Sequence, residues 1–178
     1  MIELEVKILD INRNVVEEKL IALGARKTFD DDIHAIYYDL RDNSLKKAGK
    51  VFRLRKAGKR TILTIKLHVE NALAKERLEH EVEVCGFEEM KTILEGLGYA
   101  PWLEMQKHRT SYEIESAHVE LDHYYGQHDY IPEFLEIEGR DIETIYRCAE
   151  ALGFGRRDCR PWDVTELIKY YAHKKTES

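Results

Sequence analysis

An alternation of apolar and ionised side chains, repeated in stretch after stretch, constrains this chain more than any other feature. In residues 2–8, Ile2, Leu4, Val6 and Ile8 take one side of an extended strand and Glu3, Glu5 and Lys7 the other, because successive strand side chains point to opposite faces. The pattern returns with Arg53 and Arg55 opposing Phe52 and Leu54, Lys66 in a strand over 61–69, and Glu79, Glu81 and Glu83 opposing His80, Val82 and Val84. Later, Lys107 and Arg109 oppose His108 and Thr110, Glu120 and Asp122 oppose Val119 and Leu121, and Glu136 and Glu138 oppose Leu135 and Ile137. Acid is sorted with acid and base with base. Like charges on one face of a sheet repel, so this sorting costs stability unless a ligand offsets it.

The charged faces carry nine acids (Glu3, Glu5, Glu79, Glu81, Glu83, Glu120, Asp122, Glu136, Glu138) and six bases (Lys7, Arg53, Arg55, Lys66, Lys107, Arg109). In a single strand such alternation describes the solvated face of an ordinary antiparallel sheet. Repeated over most of the strands, it leaves two arrangements: charges facing bulk water, or charges lining the lumen of a closed sheet whose apolar side lies under helices. A lumen of that kind must be wet, internally paired or filled by ions, since an uncompensated buried ion costs on the order of several kcal/mol. Carboxylate clusters suit hard cations such as Mg2+ or Mn2+, and Arg and Lys clusters suit phosphate oxygens. Six cations are many for one phosphate and reasonable for a triphosphate.

Helices punctuate the strands. Asn12 or Asn14 is placed to cap a helix running to about Leu23, with Val15, Val16, Leu20, Ile21 and Leu23 on a 3.6-residue stripe and Gly24 as its stop. The same unit of acidic strand, amphipathic helix and Leu-Gly recurs over 81–98 and 136–153. A strand is expected over 36–40, a polar loop over 42–50, a short turn at 57–59 and a last helix over 162–172, while Asp30, Asp31 and Asp32 read as a solvated loop.

With 178 residues, 35% charged and 43% hydrophobic, 10 Gly and only 3 Pro, the chain is expected to form one folded domain over 1–178. A formal charge of −6 argues against a nucleic-acid binder. Cys85, Cys148 and Cys159 are odd in number and form no CxxC pair, which disfavours a disulfide framework. No stretch is apolar for long enough to span a bilayer, so a cytoplasmic protein without membrane partners is expected. His118, His123 and His128 share neither a helix face nor a strand face, and surface or core roles are expected for them.

The ordered series Glu3-x-Glu5-x-Lys7, Arg53-x-Arg55, Lys66, Arg77-x-Glu79-x-Glu81, Lys107-x-Arg109, Glu120-x-Asp122 and Glu136-x-Glu138 resembles the signature of the CYTH superfamily, the triphosphate tunnel metalloenzymes. The resemblance covers nearly the whole chain. It is nearest to the class IV adenylyl cyclase branch, through Tyr37-Tyr38-Asp39, Ala48-Gly49-Lys50 and Phe134-Leu135-Glu136-Ile137-Glu138-Gly139. Leu67-His68 and Trp162 depart from that branch. The resemblance implies an α+β fold, an eight-stranded antiparallel β-barrel forming a tunnel with a charged lumen and helices packed outside. It implies that Glu3, Glu5, Asp122, Glu136 and Glu138 hold Mg2+ or Mn2+, and that Lys7, Arg53, Arg55, Lys66, Lys107 and Arg109 grip a nucleoside or inorganic triphosphate. The catalytic set would be those six bases with Glu3 and Glu5, while Glu79, Glu81, Glu83 and Glu120 support them. The reaction implied first is ATP to cyclic AMP and pyrophosphate. Hydrolysis of inorganic or organic triphosphate on the same fold, and a non-catalytic polyphosphate- or nucleotide-binding module, are the alternatives; a homodimer is left open.

Overall fold

The structure, a computed structural model, describes residues 4–68 and 77–176. Its strands are β1 (Leu4–Ile8), β2 (Arg26–Asp39), β3 (Val51–Ala57), β4 (Arg60–His68), β5 (Arg77–Val84), β6 (Ala100–Ile114), β7 (Ala117–Tyr125) and β8 (Phe134–Gly139). Its helices are α1 (Arg13–Ala22), α2 (Ser44–Lys47), α3 (Phe87–Gly96), α4 (Ile142–Ala151) and α5 (Val164–Thr176). Neighbouring strands follow the order β1-β8-β7-β6-β2-β3-β4-β5, antiparallel in the pairs β1–β8, β8–β7, β2–β3, β3–β4 and β4–β5. The expected α+β class with eight antiparallel strands is therefore what the chain adopts.

Two compact units make up the chain. The first comprises residues 32–106 and the second residues 4–31 and 107–176, so that β2 and β6 lend residues to each. In the second unit, Val6 and Ile8 of β1, Val119 and Leu121 of β7 and Leu135 and Ile137 of β8 pack with Val16 and Leu20 of α1, Ile145 and Ala149 of α4 and Leu152 at its C-cap. Those six strand residues all come from the apolar side of the alternation, so the helices bury one face and leave the ionised side chains on the other. In the first unit α3 does the same work, Phe87 and Leu94 packing with Ile36, Tyr38 and Leu54.

The three Leu-Gly helix ends share one geometry. Gly24, Gly98 and Gly153 have φ of +77°, +93° and +87°. Behind each, the next residue donates its N–H five positions back and the glycine donates to the residue three before it: Ala25 to Leu20 and Gly24 to Ile21, Tyr99 to Leu94 and Gly98 to Glu95, Phe154 to Ala149 and Gly153 to Glu150. This is the Schellman arrangement, and it satisfies carbonyls that a helix end otherwise leaves open. At the other end of α1, the Asn12 side chain accepts from Val15 N. In α4 the Asp141 side chain accepts from Thr144 N.

Two expectations need correction. Asp30, Asp31 and Asp32 lie within β2, which begins ten residues earlier than the strand expected over 36–40. Aspartate is a poor strand former, yet Asp30 is accommodated because its carboxylate accepts from Lys27 Nζ at 2.8 Å and Thr110 Oγ1 at 2.9 Å and lies 3.0 Å from His108 Nε2. The polar loop over 42–50 contains the single turn α2, whose start is fixed by the buried Asp39 carboxylate accepting from the backbone N–H groups of Leu40, Leu45 and Lys46 at 2.7, 3.0 and 3.0 Å.

Two glycines in one helix end predict opposite signs. A Cβ at Gly96 or at Gly98 meets nothing within 4 Å, so packing is neutral at either position. Gly96→Ala, inside α3, should raise stability by about 0.4–1 kcal/mol through the unfolded chain. Gly98→Ala, at positive φ, should lower it by about 1 kcal/mol, a melting point lower by about 2–4 °C. Thermal denaturation of the two variants checks both; equal effects would contradict the assignment of Gly98 to the cap.

Candidate functional site

Register brings the ionised residues of the second unit together. Lys7 gives both its backbone groups to Arg160, N to O at 2.8 Å and O from N at 2.9 Å. Toward β8, Lys7 and Glu136 therefore face each other as a non-hydrogen-bonded pair, and so do Glu5 and Glu138 two residues away. Side chains approach most closely at such pairs. One pair attracts and the other repels: Lys7 Nζ lies 3.3 Å from Glu136 and 3.2 Å from Glu5, whereas Glu5 stands directly against Glu138. On the far side of β8, Glu120 of β7 faces Glu136.

Oxygen atoms of Glu5, Glu136 and Glu138 all lie within 4.8 Å of one another. Opposite oxygens around a Mg2+ or Mn2+ ion stand roughly 4.2 Å apart, so these three carboxylates fit one hard cation after a small adjustment. Their protonation points the same way. Burial first, then the charges of Glu120 and Glu136, push the Glu138 carboxyl from its ordinary 4.5 up to about 9, with Arg109 opposing. Glu136 is held well below the ordinary range: burial works against ionisation, but Lys7, Arg109 and Lys107 outweigh it. Glu138 is thus the neutral member of a cluster of three carboxylates, a donor set that suits a divalent metal.

Asp122 is bound differently. Fully buried, it accepts from Arg109 Nε and an Arg109 terminal nitrogen at 2.7 Å each and from Lys107 Nζ at 2.5 Å. Burial raises its carboxyl, and Arg109 and Lys107 pull it below its ordinary value in spite of that. Arg109 also pairs with Glu120 and reaches Glu136 at 3.4 Å. Expected as a metal ligand, Asp122 here fixes two of the expected phosphate grips in place, the bidentate guanidinium pair giving the firmer hold. Burial followed by the neighbouring Arg109 lowers the Lys107 ammonium below its ordinary value.

The first unit holds the other cations. Arg53 on β3 lies 3.6 Å from both Glu79 and Glu81 on β5, Arg55 lies 3.3 Å from Glu81, and Lys66 on β4 lies 2.7 Å from Glu79. Thr64 Oγ1, not singled out from sequence, donates to Glu81 at 2.8 Å. Glu79 and Glu81 therefore hold Arg53, Arg55 and Lys66 through ion pairs across the sheet. Glu83 pairs with Arg60 at 2.9 Å in an exposed position. Glu3 lies outside the described residues. His118 and His123 are exposed beside Glu113 and Glu133, and His128 is buried near Tyr130.

A CYTH domain model matches residues 1–152, and the chain belongs to the CYTH family of triphosphate tunnel proteins, metal-dependent enzymes that act on nucleoside or inorganic triphosphates. Among relatives, the "Putative adenylate cyclase MJ0240" of Methanocaldococcus jannaschii is 29% identical over 141 residues, spanning 78% of this chain and 77% of that protein. A Vibrio parahaemolyticus protein described as a putative adenylate cyclase shares the fold at 16% identity, with a TM-score of 0.80 over 95% of this chain and 98% of that one. So does the Hippeastrum protein HpAC1, a putative adenylyl cyclase described as having a dominant triphosphatase activity, at 15% identity and a TM-score of 0.64 over 95% of each chain. Among the described residues no helix is long and apolar enough to cross a membrane.

The carboxylate cluster predicts a pH signature. Between about 4.5 and about 9 the folded protein keeps on Glu138 a proton that the unfolded chain has released, so stability falls as pH rises through that window. Glu138→Gln has no such proton to lose. Without divalent metal its melting point should exceed that of the parent by a few degrees near pH 8.5, roughly 2–4 °C for each kcal/mol, and converge with it near pH 5. A difference that does not change with pH would contradict the raised carboxyl.

Proposed function

We propose that the chain is a metal-dependent enzyme acting on ATP in the manner of a class IV adenylyl cyclase, forming cyclic AMP and pyrophosphate. The observation that carries the reading is the convergence of Glu5, Glu136 and Glu138, one of them kept neutral by its neighbours, beside fixed cations. In the proposed mechanism Glu5, Glu136 and Glu138 hold Mg2+ or Mn2+. Bound there, the cation neutralises phosphate charge and orients the reacting phosphate. Glu3 is proposed as a further ligand. Asp122 is proposed to serve the metal through its neighbours, by holding Lys107 and Arg109.

Lys7, Lys107 and Arg109 of the second unit, and Arg53, Arg55 and Lys66 of the first, are proposed to bind phosphate oxygens. The Asp122 carboxylate holds Lys107 and Arg109 before substrate arrives, so these two would stabilise charge developing on the leaving pyrophosphate with little reorganisation. The ribose 3′-oxygen would attack the α-phosphorus, forming one P–O bond as the bond to the β-phosphate oxygen breaks, and the hydroxyl proton passes to solvent. A second reading, hydrolysis of a triphosphate by water at the terminal phosphorus, is favoured by the triphosphatase activity ascribed to the Hippeastrum relative.

Incubation of the purified protein with ATP and Mg2+ or Mn2+, followed by chromatography, decides between them. Cyclic AMP and pyrophosphate in equal amounts are expected; inorganic phosphate as the main product supports the hydrolase, and binding without turnover under either metal contradicts both. Glu5→Gln should lower metal-dependent turnover by about 10²-fold or more while leaving triphosphate affinity within about threefold, since it removes one metal ligand and no phosphate donor. Arg53→Ala should weaken triphosphate binding about tenfold and lower turnover with it. Unchanged turnover in either variant would remove that residue from the site.

A further inference from the structure

The chain after α4 returns to the charged face of β1. Beyond the 3-10 turn Arg156–Asp158, Cys159 packs against the core of the second unit, and Arg160 forms the reciprocal backbone pair with Lys7. Residues directly opposite each other in an antiparallel pair project to the same face. Since Lys7 lies on the ionised face with Glu5, so does the Arg160 side chain, and the inward packing of its neighbour Cys159 gives the same answer by alternation. Across the face the row reads Arg160, Lys7, Glu136, Glu120.

Arg160 differs from the other cations of this unit in what surrounds it. Lys7 has Glu5 and Glu136, Lys107 has Asp122, and Arg109 has Asp122, Glu120 and Glu136. Arg160, half-buried, meets no carboxylate among the described residues. Its guanidinium carbon lies 4.8 Å from the centre of the Trp162 ring and 6.0 Å from that of Tyr170, two rings themselves 5.1 Å apart. Aromatic faces steady a guanidinium and shield it, yet they leave its in-plane N–H donors open. A cation held in register with Lys7, with no carboxylate beside it among the described residues, suits an oxygen of a bound anion.

We propose that Arg160 is a further phosphate-binding residue, donating to an oxygen of the same triphosphate that Lys7 engages, with Trp162 and Tyr170 holding its guanidinium in place. The inference rests on the reading that this face binds a triphosphate. Inorganic triphosphate and ATP share the chemistry, and the test uses both.

Calorimetric titration of the full chain with tripolyphosphate and with ATP, in the presence of Mg2+, tests it. Arg160→Ala should weaken both ligands about tenfold, as should Arg160→Gln, which keeps bulk over Trp162 without the charge. Arg160→Lys should recover to within about threefold of the parent, because a charged stem remains over the rings. Arg157→Ala, an exposed control of equal charge change, should stay within about twofold. The proposal is overturned if a folded Ala or Gln variant binds as the parent does, if the Arg157 control loses as much, or if Lys restores nothing. Binding of tripolyphosphate by the parent with no loss in the Arg160 variants sinks this inference alone. A parent that binds neither ligand sinks the triphosphate reading and this inference with it.

Discussion

Repulsion among carboxylates on one face of a sheet is the constraint on which the rest of the second unit depends. Glu5 faces Glu138, and Glu136 faces Glu120, with strand register leaving none of them free to move apart. A folded chain tolerates such crowding in three ways: a cation nearby, a proton, or a metal. Lys7 and Arg109 supply the first for Glu136, and Glu138 takes the second. The third is open to Glu5, Glu136 and Glu138 together, whose oxygens already stand at nearly the separation that one hard cation asks of its ligands.

The opposite faces make that crowding affordable. Val6, Ile8, Val119, Leu121, Leu135 and Ile137 lie beneath α1 and α4, and their burial contributes most of what holds the strands in register. A shift of one residue would exchange the two faces of a strand and put carboxylates into that core, so the apolar side specifies where the ionised side must be. The cations of the first unit obey the same logic on a smaller core, with Glu79 and Glu81 aiming Arg53, Arg55 and Lys66.

Much of this was legible in the sequence, because alternation and helix ends are local signals. The Leu-Gly stops were read correctly as C-caps, and seven of the eight strands were visible as a repeating alternation of side chains. What could not be read is what depends on register or on distant partners. Nothing local tells that Asp122 will be claimed by Lys107 and Arg109 while Glu138 forms no ion pair among the described residues, or that Glu83 will turn to Arg60. The run Asp30, Asp31 and Asp32 reads as a loop because its strand is stabilised by Thr110 and His108, roughly eighty residues away along the chain. Arg160 left no trace either: a single arginine after a turn has no pattern, and only its pairing with Lys7 places it on the charged face.

If one carboxyl of the cluster stays protonated until a cation replaces the proton, metal binding must release hydrogen ions. Calorimetric titration of Mn2+ into the protein at pH 7.5, repeated in buffers of different ionisation enthalpy, measures that release directly. The account predicts heats that change with the buffer by an amount equal to about one proton per bound ion. Saturable binding with heats independent of the buffer would contradict it.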